Sequence, residues 1–147
     1  MTTHNPGTIS PSAVESALLN LYARYIDATW RMDTAAFGEC FTDDATWQIV
    51  GRTFVGRNVI ETAIADFLSA NQRVLIETSP PLIFLDNDTI SAKVMINELI
   101  KTRSGEGRTT VGTYIDVLKF ESDRLLFHKH SLELHYSSSP DRLSAPP

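Results

Sequence analysis

Apolar residues recur every three or four positions over the first part of the chain, between residues 14 and 32. Side chains at that spacing lie on one side of a helix, so the pattern predicts a first helix with one buried stripe. Ser12 and Glu15 have the spacing of a capping box, which indicates that this helix begins near residue 12. The stripe consists of Val14, Leu18, Leu21, Tyr22, Tyr25, Ile26 and Thr29.

Two shorter helical patterns follow. Asp33 is placed to cap a second helix that carries Phe37, Cys40 and Phe41 inward. The polar run "TDDA" ends that helix, and "ATWQIV" is typical of a strand that ends at Gly51. A third helix is predicted from residue 58 to residue 69, with a buried side formed by Val59, Ile60, Ile64, Phe67 and Leu68.

From residue 74 onward the pattern changes to strands. Turn-prone segments, "PP", "DND", "SGEG" and "ESD", separate five strand-like runs: "VLIET", "LIFLD", "TISAKVMINELIKTR", "TTVGTYIDVLKF" and "RLLFHKHSLELHY". Helices followed by a run of strands are typical of an α+β domain, in which the helices pack against one meandering antiparallel sheet.

The length and the composition of the chain indicate one domain. Its 147 residues, 42% of them apolar, suffice for a single core. Residues 1–11 and 137–147 are rich in Ser, Thr and Pro without apolar periodicity, so both ends are predicted to be flexible tails. The folded domain is expected over residues 12–136.

Charge and cysteine content restrict the possible partners. The net charge of -5, without a basic cluster, argues against nucleic acid and against an anionic membrane surface. No apolar run approaches the length of a membrane span, and the first residues lack the features of a signal peptide. Cys40 is the one cysteine, so an internal disulfide is excluded. These features predict a cytoplasmic protein whose partner is a small molecule or another protein.

Two carboxylates interrupt apolar strand faces. Asp116 lies in the even-numbered row of "GTYIDVLKF", and Glu98 lies in the even-numbered row of the preceding strand. A five-residue loop between these strands would set Glu98 opposite Tyr114. A buried carboxylate requires a partner, which makes both residues candidates for a site.

The last strand offers histidines on the same face. A three-residue loop at residues 121–123 would place His128 opposite Asp116 and His130 opposite Tyr114. Asp116 is then expected to orient the His128 imidazole or to share its proton. The alternatives are a purely structural Asp–His contact, and a metal bound by His-x-His with the carboxylates.

Glu98 and three aromatic residues also have structural interpretations. Glu98 is expected either to pair with Arg103 or Arg108 or to be exposed. Trp30, Trp47 and Tyr25, taken singly, are ordinary core aromatics.

The stretch "LYARYIDATWRMDTAAFGECFTDDATWQIV", continuing into "GRTFVGRNVI", resembles the opening of the SnoaL-like branch of the nuclear transport factor 2-like superfamily. "GTYIDVLKF" and its hairpin resemble the end of the same domain, so the resemblance covers residues 14–136. It implies a cone-shaped α+β barrel, in which N-terminal helices pack on a strongly curved antiparallel sheet and enclose an apolar pocket. It also implies a homodimer.

The resemblance implies an incomplete catalytic dyad. Dehydratases and the dehydrochlorinase of this superfamily use an Asp late in the first helix and a His after the third helix. The Asp position falls on Trp30, and no histidine exists between His4 and His128. The dehydratase mechanism therefore cannot be transferred unless a carboxylate such as Glu77 replaces the histidine.

Four polar pocket positions do match, from different relatives. Similarity to ketosteroid isomerase places its oxyanion-hole Tyr on Tyr25 and its protonated Asp on Asp116, while its base position falls on or beside Ile49. Similarity to bile-acid 7-alpha-dehydratase places a pocket acid on Glu98 and a pocket Tyr on Tyr114. Proteins that share a fold can catalyse different reactions, so the function depends on the individual residues of the site.

The leading hypothesis is a lyase, isomerase or cyclase that acts by proton transfer on a ring-containing carbonyl metabolite. Tyr25 and a neutral Asp116 would polarise the carbonyl, and His128 or Glu98 would be the base. Aromatic and polar residues would contact the substrate, namely Trp30, Trp47, Tyr114 and His130. The alternative is a non-catalytic domain that binds a small apolar ligand or serves dimerisation. No cofactor is predicted, because "GRTFVGR" and "SGEG" lack the context of a phosphate loop.

Overall fold

The first helix, α1 (Pro11–Trp30), begins one residue earlier than the capping-box pattern predicts. In the computed structural model, which describes residues 9–138, the Ser10 hydroxyl accepts the Ala13 N–H at 3.1 Å. Pro11 favours this start, because proline has no N–H to satisfy and a φ suited to the first turn. Most of the two predicted tails, residues 1–8 and 139–147, lies outside the described residues.

Two shorter helices complete the helical layer. Asp33 caps α2 (Thr34–Gly38) by accepting the Ala36 N–H, as the sequence predicts. The third helix, α3 (Arg57–Ser69), buries Ile60, Ile64 and Leu68. Val59 was expected on that buried side but is 49% exposed, because the helix packs along a narrower stripe. None of the helices between residues 9 and 138 is long and apolar enough to span a membrane.

Seven strands form one curved sheet. They are β1 (Phe41–Ile49), β2 (Arg52–Val55), β3 (Asn71–Thr78), β4 (Leu82–Asp86), β5 (Thr89–Thr102), β6 (Gly107–Glu121) and β7 (Arg124–Ser137). Their order is β2-β1-β7-β6-β5-β3, and β4 also pairs with β5. The helices pack on one side of this sheet, which is the predicted α+β cone.

The sheet is mixed rather than wholly antiparallel. β1 runs parallel to β7, with Trp47 opposite His130, whereas the other pairs are antiparallel. A connection through one helix, α3, and five strands separates β1 from β7, so no tight turn forces them to be antiparallel. This pairing brings the end of the first strand beside the last strand, at the wall of the interior.

The β5–β6 hairpin pairs in a different register from the predicted one. Glu98 lies opposite Thr110, and Tyr114 lies opposite Val94, so the expected Glu98–Tyr114 pairing is wrong. The turn centres on Ser104 and Gly105, where Gly105 has a φ of 90°. Since the displacement is an even number of residues, the even-numbered faces of the two strands still coincide.

In the β6–β7 hairpin, the histidine opposite Asp116 is not the predicted one. Glu121 and Arg124 close a two-residue turn, and a β-bulge between Val117 and Leu118 then shifts the register. As a result Asp116 lies opposite His130 and not His128. A bulge inserts one residue on one strand, which no pattern of alternation predicts.

A second bulge lies further along the same hairpin, between Val111 and Gly112. Gly112 comes very close to the neighbouring strand there: a Cβ at this position would lie 2.6 Å from the Glu133 carbonyl oxygen. Such contacts are not tolerated, so this position requires glycine. Bulges increase local twist, and the two together bend β6 and β7 around the interior.

Candidate functional site

The helices and the concave face of the sheet enclose a cavity of about 230 Å³. Residues from α1, α2, α3 and five strands line it. The walls are mainly apolar, with contributions from Phe37, Trp47, Ile64, Phe67, Ile76 and Leu132. A few polar side chains also reach the cavity, chiefly Tyr25, Glu98, Arg108, Thr110 and Tyr114. Apolar walls with a few converging polar groups are typical of a small-molecule site.

Glu98 is the acidic residue among those that line the cavity. Burial raises the pKa of its carboxyl from 4.5 to about 7, because the apolar surroundings disfavour the charged form. The positive charge of Arg108 opposes this rise. Of the two arginines proposed as partners of Glu98, Arg108 is therefore the one whose charge affects the pKa of Glu98. A carboxyl with a pKa near 7 can take up or release a proton at neutral pH.

Two tyrosines face the same space. The rings of Tyr25 and Tyr114 meet edge to face, with centroids 5.9 Å apart. Burial raises the pKa of both phenols well above its ordinary value, and the negative charge of Glu98 raises it further. Both hydroxyls thus remain protonated and act as hydrogen-bond donors.

A chain of buried hydrogen bonds lies behind Tyr25. Tyr22 donates its hydroxyl to Asp116 Oδ2 at 2.6 Å, and Asp116 Oδ1 is 2.5 Å from His130 Nδ1. On the other side of the ring, His130 Nε2 is 3.1 Å from the Tyr25 hydroxyl. Asp116 and His130 are almost completely buried, while Tyr25 reaches the cavity. The order is therefore Tyr22, Asp116, His130, Tyr25.

The aromatic residues around His130 fix its orientation. Its ring centroid lies 4.3 Å from that of Phe127 and 4.4 Å from that of Tyr114. With Nδ1–H directed at Asp116, a neutral His130 presents Nε2 as an acceptor, and Tyr25 donates to it. A protonated His130 instead donates from Nε2, which frees the Tyr25 hydrogen for another acceptor. The protonation state of His130 thus sets the direction of the Tyr25 hydroxyl.

Three residues that the sequence analysis considered for the site lie away from the cavity. His128, the bulge residue on β7, places Nδ1 3.3 Å from the Thr42 hydroxyl and 3.6 Å from Asp44 Oδ1. Trp30, at the end of α1, is 45% exposed and lies under the Arg73 guanidinium. Glu77, the proposed substitute for the missing histidine, is exposed because its neighbour Ile76 takes the inward position.

Asp116 has a different environment from the predicted one. It does not line the cavity, and both carboxylate oxygens are engaged by groups from the protein. Since Tyr22 donates to it, Asp116 acts as an acceptor toward α1 rather than as a neutral donor toward a ligand. His130, expected to contact substrate, is likewise separated from the cavity by Tyr25 and Tyr114.

The sequence predicted no role in the site for Tyr22. For Arg108 it predicted only a possible pairing with Glu98. Tyr22 was part of the helical stripe, and its position one turn before Tyr25 was the available signal. Thr110 gave no signal, because its contact with the cavity depends on the register of β5 and β6. No group of three His, Cys, Asp or Glu side chains within residues 9–138 could hold a metal ion.

A family model for the SnoaL-like domain matches residues 12–130 of the sequence. The chain belongs to the SnoaL-like domain family. This match extends from α1 to the middle of β7 and includes Tyr25, Glu98, Arg108, Thr110 and Tyr114 of the cavity as well as the whole buried chain of hydrogen bonds. No curated protein matches this SnoaL-like chain in sequence.

Solved structures share the fold of this SnoaL-like domain at low identity. The Kfla4162 protein from Kribbella flavida has a TM-score of 0.82 at 14% identity, over 92% of this chain and 100% of that chain. LinA has a TM-score of 0.79 at 18% identity, over 92% and 96%. A provisionally assigned scytalone dehydratase from Novosphingobium aromaticivorans has a TM-score of 0.79 at 12% identity, over 86% and 88%.

Proposed function

We propose that the protein is a lyase or isomerase that moves a proton on a ring-containing carbonyl compound bound in the cavity. One observation carries this proposal: Glu98, a carboxyl with a pKa of about 7, shares an apolar cavity with the hydroxyls of Tyr25 and Tyr114. A base and two hydrogen-bond donors around an apolar space are what enolate chemistry requires.

Glu98 is the base in this reaction. Its carboxylate removes a proton from the carbon next to the carbonyl, and the electrons of the broken C–H bond form the enolate. Isomerisation follows if the same proton returns to another carbon of the conjugated system. Elimination follows if a leaving group departs from the adjacent carbon. A pKa of about 7 leaves a substantial fraction of Glu98 ionised at neutral pH while keeping it basic.

The tyrosine hydroxyls stabilise the enolate oxygen: Tyr114 donates its hydrogen to it, and the one hydroxyl hydrogen of Tyr25 does so when it turns from His130 Nε2 toward the cavity. Their raised pKa keeps the phenols protonated, so they donate hydrogen bonds to developing negative charge instead of competing with Glu98 as bases. The low polarity of the cavity strengthens these hydrogen bonds. Tyr114 stands between the cavity and His130, and its ring fixes the position of Tyr25 from the side.

Asp116, His130 and Tyr22 act as positioning residues rather than catalytic ones. They hold the Tyr25 hydroxyl from behind through the buried chain of hydrogen bonds. His128 has no part in this proposal, because it is bonded to Thr42 on β1. Tyr114 takes the donor role that the sequence analysis gave to Asp116, and Glu98, its alternative to His128, is the base.

Exchange of hydrogen for deuterium next to a carbonyl tests the proton transfer without knowledge of the natural substrate. Cyclic ketones, such as tetralone and cyclohexenone, are incubated with the protein in D₂O, and loss of the α-proton signal is followed by NMR. Glu98→Gln is expected to slow the protein-dependent exchange by about 100-fold or more. Glu77→Gln, a matched change on the exposed side of the neighbouring strand, is expected to retain it.

Two results would count against this function. Exchange that proceeds at the wild-type rate in Glu98→Gln would remove Glu98 as the base. Ketones that bind in the cavity without any exchange would indicate a binding protein, which was the alternative drawn from the loss of the usual dyad.

A further inference from the structure

Arg108 lines two spaces at once. Its side chain borders the cavity beside Glu98 and also borders a depression of about 400 Å³ on the outside of the sheet. It is the cation among the residues that line the cavity. Within the part of the chain that the structure describes, the Arg108 guanidinium makes no ion pair. A guanidinium offers five N–H donors in a planar arrangement that matches carboxylate and phosphate oxygens.

The outer depression is also basic. Arg73 and Lys101, paired across β3 and β5, line it together with Arg108, and no acidic residue is among its lining residues. The ion pairs found between residues 9 and 138 include neither Arg73 nor Lys101. Among the described residues, three cations without an ion pair thus lie in one place, although the chain as a whole carries a charge of -5. Such a local field concentrates anions at this point of the surface.

Trp30 supplies a flat apolar wall to the same depression. Its ring is 45% exposed, and the Arg73 guanidinium carbon lies 5.4 Å from the ring centroid. A half-exposed tryptophan beside free cations suits a ligand that is partly apolar and partly anionic. Arg108 joins this surface to the apolar cavity, where the ring of a ligand would be buried.

We propose that the ligand of the cavity is an organic anion: its ring lies inside the cavity, and its carboxylate or phosphate group binds Arg108 at the rim, facing Trp30, Arg73 and Lys101. This inference rests on the proposed function for the ring and adds the charge of the substrate. Arg108 borders both spaces and Glu98 borders only the cavity, so the charge of Arg108 offsets the repulsion between Glu98 and the anion.

Binding of matched charged and neutral probes tests this inference without any turnover. Naphthylacetate, naphthyl phosphate and the uncharged naphthylacetamide are titrated by calorimetry at low ionic strength. Wild-type protein is expected to bind at least one of the anions about tenfold more tightly than the amide, as a charge-assisted hydrogen bond allows. The preferred anion identifies the group, carboxylate or phosphate. Added salt is expected to reduce this preference.

Variants of the basic residues show which side chains cause the preference for the anionic probes. Arg108→Gln is expected to abolish it while leaving the affinity for the amide nearly unchanged, and Arg73→Gln with Lys101→Gln is expected to reduce it. Lys93→Gln, which removes an exposed cation elsewhere on β5, serves as the control and is expected to change nothing. The inference is overturned if anion and amide bind equally, if Arg108→Gln keeps the preference, or if none of the probes binds. Because Glu98→Gln is expected to keep the preference, failure of the proposed chemistry remains distinguishable.

Discussion

Asp116 and His130 face each other across β6 and β7 in the interior of the protein, with Asp116 Oδ1 2.5 Å from His130 Nδ1. Both side chains are fully buried. The pair connects Tyr22 on α1 to Tyr25, one turn later on the same helix. Helix and hairpin are therefore joined by polar contacts at the point where the apolar core meets the cavity.

The two histidines of the "HKH" segment are expected to differ in their contribution to stability. His130→Gln should lower the free energy of unfolding by about 3 kcal/mol, because it removes the partner of a buried carboxylate. His128→Gln should lower it by less than about 1 kcal/mol, since Asp44, the carboxylate near His128, is exposed. Urea unfolding at pH 7 measures both. Equal effects would contradict the pairing of Asp116 with His130.

Tyr22 is expected to stabilise the fold through its hydroxyl. Tyr22→Phe keeps the ring but removes the donor to Asp116 Oδ2, which should cost about 1 to 2 kcal/mol. Tyr136→Phe is the control, because Tyr136 is 48% exposed and should change stability by less than about 0.5 kcal/mol. A Tyr22→Phe protein as stable as the wild type in urea would indicate that the hydroxyl contributes nothing net.

Glu98 should make stability depend on pH. The pKa of its carboxyl is about 7 in the folded protein and 4.5 when the group is surrounded by water, so the folded protein binds the extra proton between these values. The stabilisation from this group is thus present below pH 4.5 and is lost as the pH rises through 7. The loss should be about 2 kcal/mol, because solvent partly screens the half-buried carboxyl.

Glu98→Gln removes the pH dependence of stability that comes from this carboxyl. The free energy of unfolding of the variant, relative to that of the wild type, should therefore be higher at pH 8 than at pH 5. Thermal unfolding at the two pH values, with Glu77→Gln as the control, measures the difference. The exchange of α-protons should show the opposite trend in the wild type, rising through pH 7 as Glu98 loses its proton. An exchange rate that does not vary between pH 5 and pH 8 would argue against Glu98 as the base.

Gly112 is expected to be intolerant of a side chain. Gly112→Ala would bring a Cβ within 2.6 Å of the Glu133 carbonyl oxygen and 2.7 Å of Leu132 Cδ1, so it should cost about 2 kcal/mol or more. Gly105→Ala provides the comparison: its φ of 90° disfavours alanine, but nothing lies close to the added Cβ. That change should cost about 1 kcal/mol. A larger loss for Gly105→Ala in urea would show that the close approach at the bulge is easily relieved.

Periodicity and turn signals in the sequence were sufficient for most of the elements and for most of the strand faces. They did not predict β2, and they assigned Phe41 and "TDDA" to the second helix and its end, whereas both lie in β1. The Asp33 cap, the third helix and the five late strands were predicted, because each follows from residues close together in the chain. Even-numbered residues of β5 and β6 share one face, as expected, and His130, Leu132 and Leu134 of β7 continue it, since side chains alternate along a strand. Between the bulge at His128 and the turn, Leu125 and Phe127 take that face instead of the even-numbered residues, so the placement predicted for His128 is wrong. Glu98, Asp116 and His130 were thereby assigned to the same side of the sheet.

The register of the strands, and the side on which the residues at the end of α1 lie, were decided only by the tertiary structure. A two-residue turn and a bulge replaced His128 with His130 as the partner of Asp116, and no local pattern encodes that bulge. The end of α1 places Trp30 outside the cavity, although its alignment suggested the inside. The bond between Tyr22 and Asp116 joins residues 94 positions apart, so only packing of the helix on the sheet creates it.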